Sequence, residues 1–453
     1  MGNVLFCVHP IPGSVNSCLG LAKDLKEFGY QVYFTGTKKS EKLVKLNGFE
    51  FIPLFENWFI NDEVELDSNE SLNFLERLKS DRNIVNHIKK FISALIETED
   101  RQFFDLIDQI KPELILVVAT HYDSFIWGLL SYKSGVKTVY LHDTLCGSFM
   151  SGAPPITTGI IPNNSALNKI KIYFSWGVYF AQRGFQDMFY GRCIKSRLGF
   201  KYGIDKLCEH YGYPISMVDT STDMLAPKLT FPEMVLCARE FDFGSEDSRR
   251  YYIGASVHIG RDEPGFPWNM LPEGKKLVYC SLGSLEYLSR EKRIRFFGIV
   301  LAVAAGYQHY SWVIALGNGL SVNEFKSVPT NVVLVNYAPQ ISLLKKADIM
   351  ITHGGTNSIR ECIKFGVPMI AFPLGFDQRG NVARVVCHGI GVCGNIKNIS
   401  VGNLNDLVQT VMNNTFYHIQ MRLMKKRFEN IDNEKLGLRL INSILGISEM
   451  GVS

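Results

Sequence analysis

One stretch, Tyr337 to Gln378, limits what this chain can fold into more than any other. It opens with Tyr337-Ala338-Pro339-Gln340, passes a short helical pattern and reaches Ala347-Asp348-Ile349-Met350-Ile351-Thr352, a buried strand entered from a polar edge. His353-Gly354-Gly355-Thr356-Asn357-Ser358 follows. Gly354 and Gly355 allow a tight turn and close approach to a ligand, and the next three side chains bring hydroxyl and amide groups to a helix start. That helix carries Ile359, Cys362 and Ile363 on its apolar side and stops at Gly366. Val367-Pro368 then leads into a second strand, Met369 to Phe372, closed by Pro373. Strand, glycine turn, helix and strand make a βαβ unit. Its helix N-terminus points N–H groups at the cleft, an anion site most often used for phosphate.

Two further features narrow the ligand to a nucleotide sugar. Glu361 lies one turn into the helix, within reach of ribose hydroxyls if a diphosphate sits at Asn357 and Ser358. Asp377-Gln378 follows the next strand, and a carboxylate beside an amide suits a ring of sugar hydroxyls. The whole string resembles the donor-binding signature of the UDP-glycosyltransferase family (family 1, GT-B fold), in its bacterial macrolide and natural-product form. The resemblance implies an α/β fold of two Rossmann-like domains facing a central cleft. It also implies Tyr337 and Gln340 at the base, His353 at the diphosphate, Asn357 and Ser358 at phosphate, Glu361 on the ribose, and Asp377 with Gln378 on the sugar. Plant members carry tryptophan where this chain has Tyr337.

At 453 residues the chain is too long for one core and suits two domains. The resemblance and the strand pattern place them at 1–255 and 277–453, with a linker at 256–276 whose Arg261 to Gly274 part is rich in Pro, Gly and charge. A net charge of +4 is too small for a nucleic-acid stripe and leaves at most a peripheral membrane contact. Ten cysteines without a Cys-x-x-Cys pair indicate neither a zinc site nor a disulfide framework, and a reducing cytoplasm fits best. No signal peptide precedes Asn3-Val4-Leu5-Phe6-Cys7-Val8, and no window reaches the eighteen apolar residues of a membrane span.

The first half alternates strands and helices, as in a parallel sheet covered on both faces. Residues 56–104 break the alternation with a polar, mostly helical insertion carrying Leu72, Leu75, Leu78, Ile84, Ile88, Phe91 and Leu95 at helical spacing. Ligands of open α/β sheets bind beyond the carboxyl ends of strands, which makes His9, His121, Asp123 and His142 candidates for one cleft. Ile170 to Phe189 reads as an aromatic helix, mostly core, with an acceptor pocket or a membrane-touching surface as the other reading. Met234 to Ala238 and Tyr251 to Ala255 read as late strands of this sheet. The second domain opens at Leu277-Val278-Tyr279-Cys280. Its Ser281-Leu282-Gly283-Ser284 resembles the family's other donor loop, and Leu436 to Leu445 its terminal helix crossing back to the first domain.

The family's first loop places a histidine before the first helix as the base that deprotonates the acceptor. Here Ser14 stands at that position and Ser17 replaces the following proline, while the carboxylate that orients the base is matched by Asp123. A serine hydroxyl is no base near neutral pH. Asp123 or His9 could serve instead, the acceptor could be acidic enough to need little help, or the protein could bind a nucleotide sugar without transferring it. The expectation is an inverting transfer from a UDP-sugar or other nucleotide sugar to a hydroxyl of a small apolar or aromatic acceptor. The nucleotide sugar is a co-substrate, and no cofactor is expected. No Asp-x-Asp pair occurs, so no metal is expected either. A nucleotide-sugar epimerase on the same fold is the remaining alternative.

Overall fold

The computed structural model describes residues 1–56, 90–119, 122–145, 149, 152–193, 200–219, 227–244, 249–272, 274–283 and 288–447. Thr120, His121, Ser284 and the insertion residues Leu72, Leu75, Leu78, Ile84 and Ile88 lie outside them. In the first half the order is β1 Asn3–Cys7, α1 Pro12–Phe28, β2 Gln31–Gly36, α2 Glu41–Leu46, β3 Glu50–Pro53, α3 Asp100–Ile110, β4 Pro112–Val118 and α4 Tyr122–Ser134. It continues through β5 Lys137–His142, α5 Ala166–Cys193, α6 Phe200–Tyr211, β6 Glu233–Val235 and β7 Arg250–Tyr252. The second half holds β8 Lys276–Ser281, α7 Arg290–Ala305, β9 Tyr310–Ala315, β10 Val332–Val335, α8 Gln340–Leu344, β11 Ile349–Thr352, α9 Thr356–Phe365 and β12 Met369–Ala371. α10 Gln378–Cys387, β13 Gly391–Cys393, α11 Val401–Asn413, α12 Thr415–Asn433 and α13 Leu436–Leu445 close it.

Two parallel sheets result, one ordered β3-β2-β1-β4-β5-β6-β7 and the other β10-β9-β8-β11-β12-β13. Both are the α/β architecture the alternation predicts. Central strands are apolar throughout because helices cover both faces: Leu114 to Val118 of β4 and Val278 to Cys280 of β8 are all buried. In each sheet the order reverses beside the first strand, between β1 and β4 and between β8 and β11. Chain connections leave in opposite directions there, opening a crevice at the strands' carboxyl ends.

The two halves are fastened together. α13 packs Leu438 and Ile441 into the first domain's cluster beside Leu21, Leu25 and Ile253, and Tyr30 Oη donates to Asn442 Oδ1 at 2.8 Å. Arg384 donates to Asp242 through Nε (2.8 Å) and Nη2 (2.6 Å) across the interface.

The late strands are shorter than the sequence suggests. β6 stops at Val235 because the chain turns there, with the Cys237 N–H donating to the Val235 carbonyl at 2.8 Å. The aromatic helix is a larger correction. Among the described side chains of α5, Ile172 and Trp176 are core, while Leu167, Ile170, Tyr173 and Phe174 are 80%, 63%, 60% and 71% exposed.

Candidate functional site

The second crevice is built by β8, β11 and the glycines after them. Helix α9 starts at Thr356 with Gly355 as an extended cap and no side-chain cap, so its first N–H groups have no protein acceptor of that kind. The apolar face behind it, Ile359, Cys362 and Ile363, packs against Met421, Met424 and Phe428 of α12, which fixes where the helix end points. The His353 ring fits between two backbones. A Cβ on Gly283, whose φ is +85°, would meet His353 Cε1 at 2.5 Å, and one on Gly355 would meet Nε2 at 2.4 Å. Burial pulls the His353 pKa down to about 4, so the imidazole is neutral around pH 7. Its Nδ1 is buried without a hydrogen-bond partner among the described residues.

Glu361 does not stand open. Its carboxylate receives Arg261 Nη1 on Oε1 at 2.5 Å and Nη2 on Oε2 at 3.3 Å, and Gln340 Nε2 reaches Oε2 at 2.6 Å. Tyr279 Oη donates to Gln340 Oε1 at 3.3 Å, and Gln340 Nε2 lies 3.4 Å from Ser358 Oγ. Losing one partner of such a buried pair costs about 3–5 kcal/mol, so Arg261 is a structural fixture of this pocket. Tyr337, by contrast, is 57% exposed and tied at its hydroxyl to Asn318.

Asp377 and Gln378 also face inward. Asp377 Oδ2 accepts from Thr356 Oγ1 (3.1 Å) and Asn381 Nδ2 (2.8 Å), and burial, with Asp143 nearby, raises its carboxyl above the usual range. Gln378 Oε1 accepts from the N–H groups of Leu374 (2.7 Å) and Gly375 (3.2 Å). As placed, both side chains shape the loop that borders the crevice.

In the first crevice the structure brings His9 and Asp123 together, 2.8 Å from Nδ1 to Oδ2. His9 lies just beyond β1 and Asp123 in the first turn of α4 just beyond β4, so the pair straddles the switch point. Ser14 is fully buried and accepts from the His9 backbone N–H through Oγ at 3.2 Å. It braces the loop and has no surface to offer a substrate. His142 is a second correction. Only 3% exposed, it lies 3.2 Å from Glu233, which also meets Lys228 at 3.3 Å and Arg250 at 2.9 Å. Burial first, then Lys228, pulls its pKa down to about 4. It belongs to a buried ion cluster, and the neighbouring Asp143 is the residue whose charge reaches Asp377.

The two crevices meet. Asn357 Nδ2 donates to the Gly13 carbonyl at 2.7 Å, joining the start of α9 to the His9 loop. Arg360, fully buried, donates to Asn357 Oδ1 and through Nη1 to the carbonyls of Leu236 (3.1 Å) and Ala255 (3.2 Å). Sequence reasoning missed Arg261, Arg360, Asn381 and Asp143. Arg261 sits in a Pro- and Gly-rich linker where a charge reads as solvated, and Arg360 follows Ile359 on the helix's apolar side, the only hint that it is buried. Among the described residues no group of three or more His, Cys, Asp or Glu could hold a metal ion, and no helix is long and apolar enough to cross a membrane.

Comparison with known proteins agrees with this geometry. The family described as "UDP-glucoronosyl and UDP-glucosyl transferase" matches residues 269–427. "Uncharacterized UDP-glucosyltransferase YdhE" of Bacillus subtilis (strain 168) is 22% identical over 97% of this chain and 98% of its own. YojK of the same organism, with the same description, is 28% identical over 37% of this chain; the chain spans only 40% of that relative's length. Among solved structures, the glycotransferase of kitacinnamycin superposes with a TM-score of 0.70 at 17% identity, over 98% of this chain and 99% of its own. Spinosyn rhamnosyltransferase SpnG complexed with thymidine diphosphate gives 0.62 at 13% identity, over 98% and 100%. The fold is therefore GT-B, two Rossmann-like domains. The matched span contains all of His353 to Gln378 and the likeness to YdhE runs nearly end to end, so the chain resembles the UDP-glycosyltransferase family, by sequence most closely in its second half and by fold along its length.

Proposed function

We propose that this protein transfers a sugar from a nucleotide sugar, a UDP-sugar first, to a hydroxyl of a small acceptor with inversion at the anomeric carbon. The observation that carries this reading is the His9–Asp123 pair, 2.8 Å apart, beside the first turn of α1, whose Gly13 carbonyl is hydrogen-bonded to Asn357 at the start of α9. With Nδ1–H donating to Asp123, the neutral ring has its lone pair on Nε2. The acceptor's O–H proton passes to Nε2, and the acceptor oxygen's electron pair forms the bond to the anomeric carbon. The bond from that carbon to the diphosphate oxygen breaks, its pair leaving with the diphosphate. The N–H groups at the start of α9 and the neutral His353 receive that charge, so the scheme uses no metal. Tyr337 and Gln340 serve the base, Asn357 and Ser358 the phosphates, and Asp377 and Gln378 the sugar.

A natural-product acceptor is part of the proposal. One relative is the demethyllactenocin mycarosyltransferase of Streptomyces fradiae, 27% identical over 40% of this chain. A cytoplasmic setting suits the described cysteines, all free thiols. The His–Asp pair favours transfer over silent binding, since binding alone has no use for an oriented base. The test is calorimetry with UDP and UDP-sugars, followed by a product assay over phenolic, alcoholic and macrolide acceptors in EDTA. UDP binding with sugar transfer is expected. Binding without transfer to any acceptor would leave a binding protein, and sugar interconversion without an acceptor would make it an epimerase.

A further inference from the structure

We propose that the outer face of α5 seats the protein on an anionic lipid surface, its apolar side chains in the headgroup layer and Lys169 and Lys171 against lipid phosphates, a property independent of the sugar-transfer reading. Leu167, Ile170, Tyr173, Phe174 and Val178 are all exposed. Positions 167, 170, 174 and 178 recur at helical spacing and fall on one stripe, with Tyr173 at its edge. Ile172 and Trp176 point the other way, into the protein.

The stripe is held outward by a well-anchored helix. At its start the Asn168 N–H donates to Ser165 Oγ at 3.2 Å, and Asn168 Nδ2 to the Ile161 carbonyl at 3.1 Å. Further along, Trp176 Nε1 donates to the Ala153 carbonyl at 2.8 Å. The same indole meets Phe149 edge-on and stacks with Phe180, at centroid distances of 5.2 and 5.6 Å. These contacts fix the inner side and leave the outer one uncovered, and an apolar patch of this kind marks an interaction site.

Charge and shape select a lipid surface as the occupant. From Thr144 to Gln186 the chain has no Asp or Glu, while it carries Lys169, Lys171 and Arg183. Lys169 and Lys171 are exposed and flank the stripe, one beyond Tyr173 and the other beyond Val178. Their stems can lie along the apolar surface while the ammonium groups reach phosphate. Side chains this exposed have no opposing wall, so a small molecule would not be enclosed. A protein partner would want hydrogen-bonding groups across the patch, and the stripe offers only the Tyr173 hydroxyl. Among the described residues no helix can cross a membrane, so the contact is peripheral.

The experiment floats the full chain with vesicles of phosphatidylcholine alone, or of phosphatidylcholine and phosphatidylglycerol in equal parts, at low and high salt. Wild type is expected to bind the anionic vesicles about tenfold more strongly and to lose that preference as salt rises. Leu167→Gln with Phe174→Gln should weaken binding by about tenfold or more while thermal melting stays unchanged. Ile170→Gln reads the same face if the double variant does not fold. Lys169→Gln with Lys171→Gln should remove the preference for anionic lipid, and an unchanged preference would overturn the role of the two cations. Absence of binding to either vesicle, or equal binding by wild type and the apolar variants, would overturn the proposal. A dimer in sedimentation velocity that the apolar substitutions dissolve, without vesicle binding, would overturn it in favour of a second copy of the chain.

Discussion

The two switch points are topological twins with different chemistry. Each has a histidine just beyond a strand beside the reversal, His9 after β1 and His353 after β11. His9 is 22% exposed and faces a carboxylate 2.8 Å away. His353 is wedged between Gly283 and Gly355, with Nδ1 buried and unpartnered among the described residues. A carboxylate makes an imidazole a better base, whereas burial without one keeps it neutral, a poor base with one ring N–H to donate. Strand-end position brings a side chain to the crevice; its neighbours decide what it does there. His142 makes the same point, since it too ends a strand and is absorbed into the Glu233 cluster.

The contrast predicts unequal losses. His9→Ala should lower turnover by about 100-fold or more, the scale of a lost general base, with UDP affinity unchanged. His353→Ala should instead weaken UDP binding, by up to about tenfold for one neutral hydrogen bond. Equal turnover losses from the two variants, read from steady-state kinetics, would collapse the distinction.

Gly283→Ala tests the wedge. An alanine at φ +85° is strained, and its Cβ would overlap the His353 ring. Strain of roughly 1–3 kcal/mol should appear as about tenfold weaker UDP binding and a lower melting temperature. Wild-type affinity and stability would mean that the ring is not held there.

The smallest effect concerns pH. A histidine whose pKa falls from 6.5 to about 4 on folding stays neutral throughout pH 5.5–8. UDP-sugar affinity in variants keeping His353 should therefore be flat over that range. Binding that strengthens steadily as pH drops from 8 to 5.5 would instead require an imidazolium. Stability carries the opposite test. Between pH 6.5 and 4 the unfolded chain binds protons that folded His353 and His142 do not, so their stabilisation is complete above 6.5 and fades on acidification. Thermal melts at pH 6.5 and 4.5 read this directly.

What the sequence determined by itself is local and periodic. The alternation of strands and helices, the glycine turn after β11, the helix start at Thr356 and its stop at Gly366 are written in consecutive residues, because backbone conformation and helix capping depend on neighbours a few positions apart. The apolar stripe Ile359, Cys362, Ile363 and the family resemblance are legible for the same reason. Only the tertiary structure decided that Asp123 meets His9 across 114 residues and that Arg261 closes on Glu361 across 100. Only it tied Asp377 to Thr356 and Asn381, and Gln378 to the Leu374 and Gly375 N–H groups. Pairing of this kind is set by which strands lie side by side and how deeply the crevice buries a charge. No stretch of sequence records either, and both residues of a distant ion pair look, one at a time, like solvated surface.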